Sequence, residues 1–430
     1  MTSRDRRFRM AGLAALASVL AFAIFLLWAH RPAIAEIAPP APASFIPAEV
    51  VRGGQLARIG SCVSCHQSRH GRPYAGGYGV KSPFGTIYGS NITPDPEFGI
   101  GRWSETAFAR AMRHGVSRDG SHLYPAFPYD HFTHLRDADI RALYAFLMTR
   151  PPVHAVVPAN RLIPPLGFRP LVAGWKLLFF RPGSNADLAR VPPRLREGAY
   201  LGEALAHCSA CHSPRGLLGN ERRDKAYHGG WSDGWYAPPL NRGSPAVRAW
   251  TPERMATYLT TGLSVQHAAA AGPMGPVTRN LSTAPTADIA ALSQYYAWLM
   301  HDAPAARREP PLPDRQAAAT RRFPAGAALY AGACATCHEP GAPMMVAGRP
   351  ALPLGTPLHE DNPTDTIQII LQGLQPPVPP SGPLMPAYAD ALTDRQIADI
   401  VGYLHARHGT SAAWTNLEDA VAKARKAGKP

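Results

Sequence analysis

Apolar side chains recur at helical spacing along most of the chain, and no long stretch alternates between apolar and polar residues as a β-strand would. Two kinds of helix are predicted, each three times. The longer kind carries an aromatic–Leu pair near its end and is predicted at Asp137 to Met148, Thr286 to Met300 and Thr393 to His405. The shorter kind ends at a glycine cap and is predicted at Trp103 to Gly115, Trp250 to Gly262 and Asn362 to Gly373. The pattern therefore predicts a mainly α chain with a threefold internal repeat.

The most apolar segment lies at the N-terminus. Four arginines precede an apolar run from Met10 to Ala29, which as a helix rising about 1.5 Å per residue would span a bilayer core of roughly 30 Å. Ala33 to Ala35 resembles a signal-peptide cleavage site, so a cleaved signal and a retained anchor both stay open. The length of the run favours a transmembrane anchor over residues 1–35, with the rest of the chain on the periplasmic side of a bacterial inner membrane.

All six cysteines fall within three copies of the pattern C-x-x-C-H. The copies are Cys62-Val-Ser-Cys65-His66, Cys208-Ser-Ala-Cys211-His212 and Cys334-Ala-Thr-Cys337-His338. This is the attachment signature of c-type haem, because two thiols at this spacing reach the two vinyl groups of one porphyrin while the histidine binds the iron. A thioredoxin-like pair needs no following histidine, zinc sites pair two such knuckles, and a two-residue loop makes a poor disulfide. We therefore expect three covalently bound haem c groups, with His66, His212 and His338 as axial ligands.

The repeat also predicts the second axial ligand of two haems. Twelve residues after the glycine that ends each short helix stand Phe127, Met274 and Met385. A methionine on a proline-stiffened loop is the usual sixth ligand of His/Met cytochromes c, and prolines follow both methionines closely. Met344 and Met345 are rivals for the third haem, but they lie so soon after His338 that a place lining the pocket is favoured. Met274 and Met385 are therefore the predicted ligands of the second and third haems.

The first repeat departs from this pattern, because the phenylalanine at position 127 cannot bind iron. Either another side chain takes its place or the iron keeps an open or weakly held position. The local candidates are His131, His122, His114 and Met112, and a loop offset of four residues slightly favours His131. A haem without a methionine ligand would titrate at a lower potential than its neighbours.

The domain organisation follows from these repeats. Residues 45–150, 190–302 and 322–410 are predicted as three class I cytochrome c-like domains in tandem. Residues 151–189 and 303–321 are proline-rich linkers, and residues 411–430 form a C-terminal tail. The apolar stretch from Leu171 to Phe180 in the first linker is too short to cross a membrane, so it is either a packed linker helix or an interfacial segment.

Composition and charge narrow the function. The 46 prolines and 38 glycines among 430 residues suit short helices and long loops. The net charge of +14 is scattered rather than gathered in a stripe, which favours acidic redox partners or a membrane surface over nucleic acid. No cysteine remains for an iron–sulfur cluster, and no G-x-G-x-x-G pattern opens a dinucleotide fold. The chain is therefore expected to transfer electrons without a catalytic site of its own.

The haem motifs, together with Leu123 to Tyr129, Ala271 to Pro276 and Leu384 to Pro386, resemble the membrane-bound tri-haem cytochrome subunits of bacterial periplasmic dehydrogenases. That group includes the cytochrome subunits of alcohol and gluconate dehydrogenases. Gly174 to Arg181 and Trp414 to Leu417 look more like the cytochromes of molybdenum-type nicotinate or aldehyde dehydrogenases.

The resemblance implies a heteromeric complex. A molybdopterin subunit would oxidise a small molecule, a 2Fe-2S subunit would relay the electrons, and this chain would pass them to ubiquinone, a terminal oxidase or another cytochrome. Two alternatives remain open: a free-standing electron carrier, and a haem enzyme acting at the first haem.

Overall fold

The computed structural model describes residues 3–183, 191–301, 311–344, 350–374 and 385–427. The predicted mainly α character is confirmed, since helices dominate and the strands in these ranges are two to four residues long. The chain divides into two compact units. The first comprises Met1–Gly54 with Cys65–Ser184, and the second comprises Gln55–Ser64 with Asn185–Pro430.

The chain up to Gly183 contains seven described α-helices and three described strands. The helices are α1 (Ser3–Ala29), α2 (Pro47–Ile59), α3 (Cys62–Cys65), α4 (Glu105–His114), α5 (Tyr129–Phe132), α6 (Asp137–Met148) and α7 (Leu171–Phe179). The strands are β1 (Gly79–Ser82), β2 (Gly85–Tyr88) and β3 (Arg161–Leu162). They pair antiparallel in the order β1-β2-β3, with Val80 opposite Ile87 and Thr86 opposite Arg161.

The described residues from Val191 onward also form helices and short antiparallel strands. The helices are α8 (Arg196–Tyr200), α9 (Ser209–His212), α10 (Pro252–Thr261), α11 (Met274–Leu281), α12 (Thr286–Leu299), α13 (Gln316–Arg322), α14 (Pro324–Ala333), α15 (Ala335–His338), α16 (Thr364–Gln372), α17 (Asp394–His408) and α18 (Leu417–Ala427). A π-helical turn, Leu201–Leu205, continues α8. The strands form two antiparallel pairs: β4 (Gly230–Ser232) with β5 (Trp235–Ala237), and β6 (Leu263–Ser264) with β7 (Ala268–Ala269).

One helix crossing recurs three times along the chain. At Gly53, Gly198 and Gly326 the helix before a C-x-x-C-H motif meets the long helix of the same repeat so closely that a Cβ atom would collide with its backbone. The collision partners are the carbonyl groups of Ala142, Ala291 and Asp399, and the side chains four residues further on are Phe146, Tyr295 and Tyr403. Only glycine permits this approach, which explains why each of these helices carries one at this point.

The helix ends follow the capping signals in the sequence. Ser104 caps α4 by accepting a hydrogen bond from Ala107 N at 3.2 Å, and Gly115 ends it in a left-handed backbone conformation with φ of 59°. Thr251 and Gly262 play the same two roles for α10. Thr393 opens α17 with a full capping box. The predicted helix from Asp137 to Met148 matches α6 at both ends.

The C-terminal segment contributes to a hydrophobic core. Trp414, Val421 and Ala424 are buried in one cluster with residues of α14, α16 and α17. Trp414 Nε1 also donates a hydrogen bond to the carbonyl of Glu360 at 3.0 Å. Residues 411–427 are therefore built into the fold of this part of the chain.

Helix α1 contains the expected apolar segment. Arg9–Ala29 has a mean hydropathy of 2.5 and is the single stretch of the described residues that is long and apolar enough to cross a membrane. None of its most apolar stretch is buried in the protein. A signal sequence near the N-terminus can meet the same criteria of length and hydropathy, so these properties alone fit both interpretations.

The segment after α1 is held by the first unit. Ile34 N donates to the carbonyl of Arg118 at 2.8 Å, and Arg110 donates from Nη1 to the carbonyl of Pro32 at 2.7 Å. Glu36 pairs with Arg118 at 2.9 Å. The residues that come after the apolar helix are thus part of the folded unit rather than a loose tether.

Candidate haem sites

The first C-x-x-C-H motif lies against the loop that follows β2. His66 donates from Nδ1 to the carbonyl of Ser90 at 2.6 Å, and its own carbonyl accepts a hydrogen bond from Gly76 N at 2.8 Å. Gly89 touches the carbonyl of Cys65 so closely that a Cβ atom there would overlap it. Glycine at this position lets the loop come near enough for its backbone to orient the histidine.

The second motif repeats this arrangement. His212 donates from Nδ1 to the carbonyl of Pro238 at 2.7 Å, just after β5. The carbonyl of His212 accepts from Gly229 N at 2.9 Å. Gly230, the first residue of β4, lies against the carbonyl of Cys211 in the way that Gly89 lies against Cys65. A short hairpin therefore comes after each of these two motifs, and the residue whose carbonyl accepts from the histidine follows that hairpin closely.

These hydrogen bonds fix the histidine tautomer. A backbone carbonyl can only accept, so Nδ1 carries the proton in both His66 and His212 and Nε2 keeps its lone pair. Burial lowers the pKa of both imidazoles, which favours the neutral form. A neutral imidazole with a free Nε2 and an oriented Nδ1–H is the form that binds haem iron.

The third motif ends α15 at His338 and is followed by an ion-pair cluster. Arg407 of α17, whose side chain is 4% exposed, pairs with Glu339 next to the histidine and with Asp314 at 2.9 Å. These pairs hold the pKa values of Asp314 and Glu339 below their ordinary range, because the guanidinium donates to both carboxylates. Residues 345–349, which come after this motif and include Met345, lie outside the described residues.

The thiols suit attachment to a porphyrin. All six cysteines lie in the described ranges, and no disulfide joins any of them there. Burial raises the pKa of the Cys208 thiol to about 12 and that of Cys334 to about 11. Both are therefore neutral at neutral pH.

The Met274 loop lies against the hairpin that follows the second motif. Met274 is half-buried and opens α11, and Gly272 two residues earlier packs against the ring of Trp235. Trp235 lies on β5, the strand that leads to the carbonyl holding His212. The methionine predicted for the second haem thus lies on a loop in contact with the strand that orients the proximal histidine.

Met385 has a corresponding setting in the third repeat. Its carbonyl accepts a hydrogen bond from Leu374 N at 2.9 Å, just after α16, and its side chain is half-buried against the hydrophobic core. Three residues on, Tyr388 donates from its hydroxyl to the carbonyl of Ala333 at 3.3 Å, beside Cys334. Met344, the rival candidate, is 53% exposed, with its sulfur 3.8 Å from the Cys337 thiol.

In the first repeat, Phe127 packs with other aromatic side chains. Its ring centroid lies 5.4 Å from that of Phe132 and 6.5 Å from that of Tyr129. His131, on the short helix α5 with these two residues, is buried at 9% exposure. Its assignment as the sixth ligand of the first haem stays a prediction.

The other three candidates for the sixth ligand of the first haem, His122, Met112 and His114, lie in different settings. His122 uses both ring nitrogens elsewhere: Nε2 donates to the carbonyl of Ala29 at 2.8 Å, and Nδ1 accepts from Lys176 Nζ at 3.1 Å. Met112 is buried in the core on α4 at 6% exposure, and His114 is exposed at the end of the same helix. His122 in this arrangement has no lone pair left for a metal or for a proton-transfer role.

Two buried polar side chains, Lys176 and Glu360, were not predicted from the sequence. Lys176, in the apolar helix α7, is buried and donates from Nζ to the carbonyls of His114 and Gly115 at 2.6 and 2.7 Å. Glu360 is 2% exposed, and neither of its carboxylate oxygens has a hydrogen-bond partner among the described residues. Burial raises its pKa and that of Asp365, which accepts a hydrogen bond from Tyr236 N at 2.8 Å. A lone lysine in an apolar run was the available signal for the first feature.

Comparison with known proteins identifies relatives of this chain. Residues 321–404 match the family described as cytochrome c oxidase, cbb3-type, subunit III. A nicotinate dehydrogenase subunit of Pseudomonas putida is 41% identical over 95% of this chain, which spans 35% of that protein's length. The cytochrome c subunit of the quinone alcohol dehydrogenase of Gluconacetobacter polyoxogenes is 34% identical, with 89% of this chain and 85% of that subunit covered. The gluconate 2-dehydrogenase cytochrome c subunit of Pantoea cypripedii is 35% identical, with 88% and 89% covered.

The motifs and the relatives together define a cytochrome c, a class of protein that carries electrons on covalently bound haem. Within that class the chain belongs to the family of cytochrome c subunits of dehydrogenases. Its place is that of an electron-transfer subunit rather than a catalytic enzyme on its own.

Proposed function

We propose that this chain is a membrane-anchored tri-haem cytochrome c that takes electrons from a partner dehydrogenase and passes them to ubiquinone, a terminal oxidase or another cytochrome. Its three class I cytochrome c-like domains would be residues 45–150, 190–302 and 322–410, on the periplasmic side of the inner membrane. The haems supply the one-electron chemistry, and the protein positions them and sets their potentials.

This proposal rests on contacts of the same kind that recur at the haem motifs. His66 and His212 each donate from Nδ1 to a backbone carbonyl, at 2.6 and 2.7 Å, and each motif comes after a helix that crosses its partner at a glycine. The third motif comes after the same kind of crossing at Gly326. Three sites that share this helix crossing, two of which also share the histidine hydrogen bond, support a count of three haems rather than one.

Each haem would be held by named residues of its own repeat. The thioether bonds would come from Cys62 and Cys65, Cys208 and Cys211, and Cys334 and Cys337. His66, His212 and His338 would bind the irons from one side, with Met274 and Met385 opposite the second and third. His131 is the proposed ligand opposite His66.

The contacts of residues 29–36 favour a retained N-terminal helix. Cleavage after Ala35 would remove Pro32 and Ile34, which are hydrogen-bonded to Arg110 and Arg118 of the folded unit. It would also remove Ala29, whose carbonyl accepts from the buried ring of His122. A cleaved chain would leave these polar groups without their present partners, at a cost of about 1–3 kcal/mol for each buried one.

The partner is inferred from the relatives. The nicotinate dehydrogenase relative from Pseudomonas putida is nearly three times as long as the stretch that matches this chain, so the remainder of that protein has no counterpart here. A molybdopterin subunit and a 2Fe-2S subunit on separate chains would complete the complex. Alcohol, gluconate and fructose dehydrogenases offer the alternative of a different catalytic subunit.

Haem number and partners can be measured on one preparation. We would purify the full chain from membranes in mild detergent, count covalent haems from the intact mass, and identify copurifying subunits by mass spectrometry. Replacing both cysteines of one motif by serine should remove one of three haems, whichever motif is changed. A count below three would refute the tri-haem assignment, and a solitary water-soluble protein would favour a free-standing carrier.

A further inference from the structure

Helix α7 and the loop before it expose an unusual amount of apolar surface. Leu177 and Leu178 are 64% and 60% exposed, Ile163 is 53% exposed and Phe168 is 42% exposed. These four residues lie within 16 positions of one another in the first unit. Four large apolar side chains that are exposed so near one another in the chain indicate a surface that something else covers.

The inner side of α7 is fixed to the first unit. Val172 and Ala173 are buried at 6% and 3% exposure, and Lys176 donates from Nζ to the carbonyls that end α4. The Lys176 ammonium group also lies 4.7 Å from the ring centroid of Tyr129. With its buried side held by these contacts, α7 presents Leu177 and Leu178 outward as a feature of the folded unit.

One of these exposed residues, Phe168, contacts the helix that is proposed to span the membrane. The rings of Phe22 in α1 and Phe168 in the loop before α7 stack with centroids 6.3 Å apart. Phe22 precedes the end of α1 by seven residues, which is about 10 Å along a helix. The loop that carries Phe168 therefore lies beside a part of α1 that would be inside the bilayer, not beyond its end.

Polar residues at the borders fit a membrane interface. Arg169 comes directly after Phe168 and lies over the ring of Tyr124, with its guanidinium carbon 5.4 Å from the ring centroid. Arg181 lies just beyond α7 and donates from Nη1 to the carbonyl of Leu177 at 3.1 Å. Arginines that flank an apolar surface can reach lipid phosphates while their stems stay in the apolar layer.

We propose that Ile163 to Phe168 and the outer side of α7 form a second membrane contact, embedded in the periplasmic leaflet of the bilayer that α1 spans. The occupant of this surface is lipid. The contact would fix the first haem domain at the membrane surface, where a lipid-soluble acceptor diffuses. This inference rests on the anchoring through α1 that is proposed above.

The test uses the full chain in vesicles that contain a photoactivatable phospholipid with its reactive group in the acyl chain. After illumination, labelled peptides are mapped by mass spectrometry, and α1 serves as the internal standard. We expect labels on α1, on Ile163 to Phe168 and on α7. Labels on α1 without any on the other two segments would overturn the second contact and leave the anchoring intact. An unlabelled α1 would instead refute the anchoring itself.

A matched pair of variants isolates the leucines. Replacing Leu177 and Leu178 by Glu should lower the labelling of α7 about tenfold or more relative to α1, because two apolar side chains leave the acyl region. Replacing Leu217 and Leu218 by Glu adds the same charge at leucines that are 97% and 52% exposed in the second unit, and should leave the labelling of α7 unchanged. Equal labelling in both variants would refute the proposal, and an unchanged haem content would verify that both proteins fold.

Discussion

A methyl group added at Gly326, the glycine of the third helix crossing, is predicted to destabilise the third repeat. In Gly326→Ala the new methyl group would lie 2.6 Å from the carbonyl carbon of Asp399 and 3.0 Å from Cβ of Tyr403. Carbon atoms normally approach to about 3.5–4.0 Å, so α14 and α17 would have to separate by roughly 1 Å along the crossing. Overpacking of this kind costs about 1–3 kcal/mol, and here the obstacle is backbone that cannot rotate away. We expect a loss near the upper end of that range.

The same helix supplies the control. Gly332 also lies in α14, but a Cβ atom there would have no neighbour within 4 Å. Gly332→Ala should therefore be neutral or stabilising by up to about 1 kcal/mol, because alanine favours the helix. Hydrogen exchange of the α14 and α17 peptides in the intact haem-loaded chain measures the local opening of each variant. Equal protection of these helices in the two variants would refute the reasoning from the crossing.

Four further changes have defined outcomes. Arg407→Met should destabilise the third repeat by about 2 kcal/mol in urea unfolding at neutral pH, because two carboxylates lose their guanidinium partner. The guanidinium holds both carboxylate pKa values below their ordinary range in the folded state, so this difference should shrink as the pH falls through the ordinary carboxyl range and be lost only below it. Arg395→Met, at a side chain 70% exposed on the same helix, should change little. Burial raises the pKa of Glu360, so at pH 8 the folded state holds a proton that the unfolded state releases. Glu360→Gln should therefore unfold at a higher urea concentration than the parent at pH 8. Near pH 4, where the carboxyl group is protonated in both states, the two proteins should unfold at the same urea concentration. Met274→Leu should abolish one methionine–iron charge-transfer band in the oxidised spectrum and lower one midpoint potential, whereas an unchanged spectrum would exclude this ligand. His131→Ala should let carbon monoxide bind one reduced haem, and a protein that binds none would show that His131 is not the ligand.

Local sequence signals were sufficient to predict the helix ends and the fold class. Serine, threonine and glycine caps set the ends of α4 and α10, and α6 begins and ends at the predicted residues. The mainly α fold and the dehydrogenase-cytochrome family followed from spacing and motifs in the same way. Such features depend on residues close together in the chain, where one sequence carries enough information.

The remaining features depend on contacts between distant segments. The acceptors for His66 and His212 are backbone carbonyls 24 and 26 residues away, and a carbonyl leaves no trace in the residue type. Lys176 reaches backbone groups about 60 residues earlier, which no periodicity reveals. The unpartnered carboxylate of Glu360 likewise becomes apparent only when the described residues around it are assembled.

The use of backbone carbonyls to hold the proximal histidines has an evolutionary consequence. A side-chain acceptor can be lost by a single substitution, but every amino acid at positions 90 and 238 would still offer a carbonyl oxygen. The hydrogen bond that orients each histidine, and that would set the basicity of Nε2 towards haem iron, is therefore insulated from mutation at those positions. Selection would act instead on the close-packed glycines at 89 and 230 that bring the loops into place. Relatives could thus diverge widely around the haems while the electronic character of the proximal ligand stays constant.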